Sequence, residues 1–149
     1  MAFLGSFDIS ASGMSAQRVR MDIAAENIAN MDTTRTESGG PYRRKNVLLE
    51  SYSDTSFAQA MENAARGKGI TSRHAGVRVS GIVEDDREAK KVYNPDHPDA
   101  DAAGYVTMPN VDVLKETVDS MSATRSYEAN VTAVNAIKLM AQKALEIGK

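Results

Sequence analysis

Two long stretches at the ends of the chain repeat apolar residues at helical spacing, and a shorter middle does not. Near the N-terminus one stripe runs Met14, Gln17, Met21, Ala24, Ile28, Met31, and a second runs Ile9, Gly13, Ala16, Val19, Ile23. No proline occurs from Ile9 to Met31. The spacing predicts a helix over residues 1–32, apolar on more than one side, which needs neighbours to be stable in water. Asp32-Thr33-Thr34 ends the pattern, and Ser38-Gly39-Gly40-Pro41 marks a loop.

At the other end, Val111 to Ile147 contains neither glycine nor proline. Fully helical, it spans about 55 Å at ~1.5 Å per residue. One line on it is Leu114, Val118, Met121, Arg125, Glu128; another is Tyr127, Val131, Val134, Ile137, Ala141, Ala144. Gly148 supplies a stop. A helix this long in a short chain is expected to meet a partner helix as a coiled coil.

The middle reads as short extended pieces. Residues 42–52 form a strand centred on Val47, Leu48 and Leu49, and residues 76–84 form another, with a bend or bulge expected at Gly81. Lys90–Tyr93 and Tyr105–Met108 are two more short pieces, separated by the turn-rich Asn94–Gly104. Residues 54–69 fit a short helix or a loop. The division is an N-terminal helix (1–34), a small β-rich middle (35–109, with 53–72 read as an insertion) and a C-terminal helix (110–149). The expected fold class is mainly α, with the two terminal helices pairing as a coiled coil in an elongated subunit.

Composition narrows the chemistry. Of 149 residues 42% are hydrophobic but only 5% aromatic, with no Trp, so the apolar surface is mostly aliphatic and suits helix seams. Eighteen basic residues against 20 acidic ones, net charge −2, give no electrostatic case for nucleic acid or an anionic membrane. Without cysteine there is no disulfide, thiolate nucleophile or Cys-based zinc site. The first ten residues lack a basic segment followed by a long apolar one, so a Sec signal peptide is not expected.

Candidate chemistry is thin. Asp96, His97, Asp99 and Asp101 could offer oxygen ligands, but the spacing lacks the Gly and Glu of an EF-hand, and a solvated turn accounts for them better. His74 has no nucleophile arranged beside it in sequence, and Gly67-x-Gly69 lacks the remainder of a phosphate loop. Arg43-Arg44-Lys45 reads as a solvated strand edge. Asn27, Asn30, Asn130 and Asn135 interrupt apolar stretches; each either fixes the register of a seam or faces solvent. No catalytic, cofactor-binding or metal-binding residue is assigned, and no small-molecule substrate is expected.

Ser12-Gly13-Met14-Ser15-Ala16-Gln17 with Ala25-Glu26-Asn27-Ile28-Ala29-Asn30 resembles the N-terminal signature of flagellar rod and hook axial proteins. Asn110-Val111-Asp112 and Met121-Ser122-Ala123-Thr124-Arg125-Ser126-Tyr127-Glu128-Ala129-Asn130 resemble the matching C-terminal signature. Gly104–Asp112, Tyr93-Asn94-Pro95 and Pro41-Tyr42-Arg43 resemble the proximal rod members of that family. The resemblance implies a non-enzymatic subunit of the basal-body rod, which polymerises into the shaft carrying motor torque to hook and filament. It further implies export by the flagellar type III apparatus, residence in the cell envelope, and contacts with further copies, other rod proteins and the adaptor joining rod to membrane ring. The seam residues expected on this reading are Met14, Gln17, Met21, Asn27, Ile28 and Asn30 in the N-terminal helix. In the C-terminal helix they are Met121, Arg125, Tyr127, Asn130, Val134 and Ile137. Rival readings are another flagellar axial protein, or a non-flagellar coiled-coil regulator or chaperone.

Overall fold

A computed structural model describes residues 2–37, 39–53, 61, 64–66 and 75–147. Helix α1 runs Ala2–Ala29, followed by strands β1 (Lys45–Ser53), β2 (Ala75–Glu84), β3 (Lys90–Tyr93) and β4 (Tyr105–Met108), then helix α2 (Val113–Ile147). The element types and order match those read from the hydrophobic spacing. The boundaries shift by a few residues. Helix α1 stops at Ala29 and the chain turns through Asn30–Asp32, where Asn30 Nδ2 donates to Glu26 O and its Oδ1 accepts from Thr33 Oγ1. Helix α2 begins at Val113, where Asp112 Oδ1 accepts from Leu114 N and caps the first turn. Strand β2 continues through Gly81. The sequence reading of 54–69, the phosphate-loop candidate Gly67-x-Gly69 and His74 fall almost wholly outside the described residues, as does Gly148.

The strands form two separate pairs, β1 with β2 and β3 with β4. The second is an antiparallel hairpin in register Lys90↔Met108 and Tyr93↔Tyr105. The sequence reading left these two pieces unpaired. Gly104 closes the hairpin loop at φ +79°, a conformation that favours glycine.

The chain divides into two compact units. The first comprises residues 1–17, 49–80 and 125–149. Among the described residues its buried positions are small: Gly5, Ser10 and Ala16 on α1, and Gly76 on β2. Ser12 ties α1 to β2, its Oγ accepting from Val77 N at 3.1 Å. Where α1 faces α2, a Cβ built on Gly13 would lie 3.0 Å from Asn130 Nδ2, so the missing side chain allows a close approach.

The second unit comprises residues 18–48 and 81–124. Its apolar core is Ala24, Tyr42, Val106, Val111 and Ala123. Val106 is the inward residue of β4, flanked by outward Tyr105 and Thr107. Helices α1 and α2 run antiparallel here: Met21 meets Thr124 (Oγ1 to Sδ, 3.3 Å) and Asn27 meets Glu116. Alanine at 24 and 123 lets helix backbones approach, as small residues do in tight seams.

Candidate functional site

A polar junction in the second unit is built from α1, the segment entering β1, and the first turns of α2. Asn27 is its centre and is fully buried. Its Nδ2 donates to Lys45 O and to Glu116 Oε2, each at 2.9 Å, and its Oδ1 accepts from Tyr42 OH and Lys45 N, also at 2.9 Å. Both donors and both acceptor sites of the amide are used. Asn27 does not face solvent: it is buried, and four bonds hold its side chain in place.

Glu116, 2% exposed, is shared between two partners. Its Oε2 takes Asn27, and its Oε1 takes Arg44 Nε at 2.5 Å. Arg44 extends to Asp119 Oδ2 at 3.2 Å, to Asp85 at 3.9 Å and to Asn46 Oδ1. Asn110 locks the same segment from another side, accepting from Arg44 N and donating to Asp85 O and Arg87 O. Arg44 is therefore a correction to the sequence reading, which placed 43–45 on a solvated strand edge. Only Arg43 is widely exposed, in an ion pair with Asp86. Lys45 pairs with Glu26 at 2.5 Å and lies 5.7 Å over the Tyr42 ring. A buried guanidinium costs several kcal/mol in desolvation unless its donors are matched, and here carboxylates and an amide match them.

The electrostatics follow from this packing. Burial, then the negative charges of Glu26, Glu116 and Glu84, push the Tyr42 phenol up to about 12. Hydrogen bonds from Arg87 hold the Asp85 carboxyl down at about 2. No buried side-chain polar atom among the described residues lacks a partner. The arrangement holds backbone and helices in register.

The sequence-predicted seam residues divide. Asn27 is fully buried, while Met14, Gln17, Met21, Ile28, Asn30, Tyr127, Asn130, Val134 and Ile137 are half-buried. Met121 and Arg125 are exposed. The line Leu114, Val118, Met121 lies outward on α2, each more than half exposed. The buried face is instead marked by Glu116 and Ala123, with Asn130 and Ile137 continuing the same seven-residue spacing. Sequence reasoning missed Glu116 and Arg44, although Glu116 was detectable as the next position back along that spacing. Asn135 is exposed.

The Asp96–Asp101 loop is a turn held by its own bonds. Asp101 Oδ1 accepts from Ala103 N and Tyr105 N, His97 Nδ1 accepts from Asp99 N, and Asp99 Oδ2 accepts from Thr34 Oγ1. Among the described residues, no group of three or more acidic or histidine side chains is placed to hold a metal ion, and no helix is long and apolar enough to cross a membrane.

Two family models match the helical ends. Residues 7–35 match "Flagella basal body rod protein", and residues 102–147 match "Flagellar basal body rod FlgEFG protein C-terminal". Full-length relatives agree. The flagellar basal-body rod protein FlgC of Bacillus subtilis is 53% identical, with all of both chains covered. Its counterpart in Escherichia coli O6:H1 is 43% identical over all of both chains. That of Borreliella burgdorferi is 40% identical over 99% of this chain and 98% of its own. Both buried-junction helices thus lie in the segments that define the family, and the chain belongs to the flagellar basal-body rod protein FlgC family, a structural and non-enzymatic one.

Proposed function

We propose that the chain is a subunit of the proximal part of the flagellar rod, and that it polymerises through its terminal helices into the shaft that carries motor torque. Its family places it in the basal body, in assembly with other rod components. The single observation that carries the finer reading is the contrast on α2. One side, with Glu116 and Ala123, is buried against the rest of its unit, while Leu114, Val118 and Met121 on another side have no cover. Surface of that kind is unstable in water and is the usual mark of an interface.

On this reading α1 and α2 pair as a coiled coil and their outer stripes meet neighbouring subunits. The half-buried residues Met14, Gln17, Met21, Ile28 and Asn30, with Tyr127, Asn130, Val134 and Ile137, form the inner seam, and Met121 and Arg125 reach the neighbours. Heterologous contacts that do not close on themselves give a helical filament. Stiffness, not chemistry, is what a drive shaft requires, and long packed helices supply it. Passage through the type III export channel and contact with the adaptor of the membrane ring complete the reading.

The test is Ile28→Asp in a strain lacking its own copy. A charge in the half-buried seam blocks incorporation into basal bodies while the chain is still secreted. Normal swimming in that strain would sink the seam assignment.

A further inference from the structure

The β3–β4 hairpin carries a feature that the terminal helices do not explain. At one end Tyr93 and Tyr105 face each other in register, ring centroids 5.3 Å apart and edge to face. Both are exposed, Tyr93 by 64%. The patch is rigid. Asn94 N donates to Gly104 O, Asp101 N to Tyr105 O, and a Cβ on Gly104 would strike the Tyr93 ring at 2.9 Å. Two large, pre-ordered rings held open to water resemble the anchors that dominate protein interfaces. Their rim is acidic: Asp96, Asp99 and Asp101 lie in the connecting loop, and among the described residues Asp96 has no ion-pair partner.

The other end of the same hairpin is basic. Lys90 lines a cavity of about 210 Å³ together with Lys115 of α2, and Lys91 stands next to it. Among the described residues neither Lys90 nor Lys115 has an ion-pair partner. Glu88 and Asp112 also line the cavity, but Asp112 is engaged in capping α2. Arg44 and Arg87, which line the cavity together with Asn110, are taken up by Glu116 and Asp85. Beside Lys115 runs the uncovered row Leu114, Val118, Met121. One chain therefore offers an acid-rimmed aromatic patch and, separately, an aliphatic row with Lys115 beside it.

We propose that the Tyr93–Tyr105 end of the hairpin in one copy docks on the Leu114–Val118 row of α2 in a second copy, with Asp96 facing Lys115. The inference deepens the rod-subunit reading and rests on it. Because the two patches differ, each copy uses both, and the contact propagates instead of closing into a dimer. The aromatic faces supply area and accept the lysine as a cation–π partner, and the opposite charges fix the register.

The absence of cysteine makes the test clean. Cells lacking their own copy express two chains together, one with Tyr93→Cys and one with Val118→Cys. Basal bodies are isolated and mildly oxidised. A cross-linked dimer that needs both chains is expected; both chains present without that dimer overturns the contact. If even the unaltered chain is missing from basal bodies, the rod-subunit reading fails instead. A second pair guards against a damaged fold. Asp96→Lys and Lys115→Glu each lower recovery in basal bodies about tenfold through like-charge contact, and the two together in one chain restore it. Single changes without effect, or a combination that does not restore, overturn the proposal.

Discussion

Asn27 on α1 and Glu116 on α2 meet at 2.9 Å across 89 positions of sequence, and both are buried. The bond ties together the two helices that define the family. Neither side chain can turn away. Asn27 Oδ1 is held by Tyr42 and Lys45, and Glu116 Oε1 by Arg44. Removing any member strands the others out of water.

Glu116→Ala is accordingly expected to destabilise the chain by about 3 kcal/mol, the lower part of the range for breaking a buried pair. Asp119 and Asp85 still face Arg44 and moderate the loss. Glu116→Gln does not fully rescue, because whichever way its amide is turned its NH2 meets a donor, Asn27 Nδ2 or Arg44 Nε. Replacing both charges, Arg44→Met with Glu116→Leu, should recover the part of the loss that comes from the unpaired guanidinium, but not the part from the Asn27 donor that Glu116 no longer accepts. Urea unfolding followed by circular dichroism decides; a double variant no more stable than Glu116→Ala would show that the pair contributes more than mutual neutralisation.

Much of this was legible in the residues, and the junction was not. Periodicity alone places α1, α2 and the short strands, since each is a local property of spacing. Asn27 stood out as an amide inside an apolar stretch, though its burial could not be read locally. Arg44 is the instructive failure: in sequence it is one of three consecutive cations, and nothing near it announces a carboxylate 72 positions away. The hairpin pairing of β3 with β4 was hidden for the same reason, because each strand alone is four residues long and the turn between them is irregular. Long-range pairs decide which polar residues go inside, and a single sequence does not display them.

Tyr42 gives a pH signature at the alkaline end. Its pKa is raised to about 12 in the folded chain against an ordinary 10.0. The folded state therefore holds the proton where the unfolded state releases it, so this contribution is complete below pH 10 and is lost as pH rises from 10 to 12. Tyr42→Phe removes that titration and the bond to Asn27 together. The variant is expected to be about 1 kcal/mol less stable at neutral pH but to lose less on going from pH 10 to 12. Parallel curves for the two proteins over that window would contradict the assignment.

Asp85 acts at the opposite end. Its pKa is lowered to about 2 from 3.8, chiefly by hydrogen bonds from Arg87. The unfolded chain thus takes up the proton first, and stability present above pH 4 falls as pH drops through 2. Asp85→Asn should flatten that fall and leave the profile above pH 5 unchanged in shape. Arg87→Ala should flatten it too, since the depression originates there. Thermal unfolding between pH 2 and pH 6 separates these outcomes from a general acid loss.

Gly76 tests the first unit independently. A Cβ there would lie 2.8 Å from Tyr52 Cε1 and 2.9 Å from Ser12 Oγ, and Ser12 Oγ is the acceptor for the neighbouring Val77 N. The ring is partly exposed and can swing aside, but the serine is fixed on α1, where it also donates to Ile9 O at 2.7 Å. Gly76→Ala therefore pushes β2 off the helix and is expected to cost about 1–3 kcal/mol, as overpacking does. Ser12→Gly in the same chain removes half the clash and forfeits the Val77 bond, so it should rescue only part. Gly81→Ala, on the same strand with open space around its Cβ, serves as the control and should be near neutral or slightly stabilising. Equal losses at 76 and 81 would mean that strand propensity, and not the approach of α1, sets the requirement for glycine.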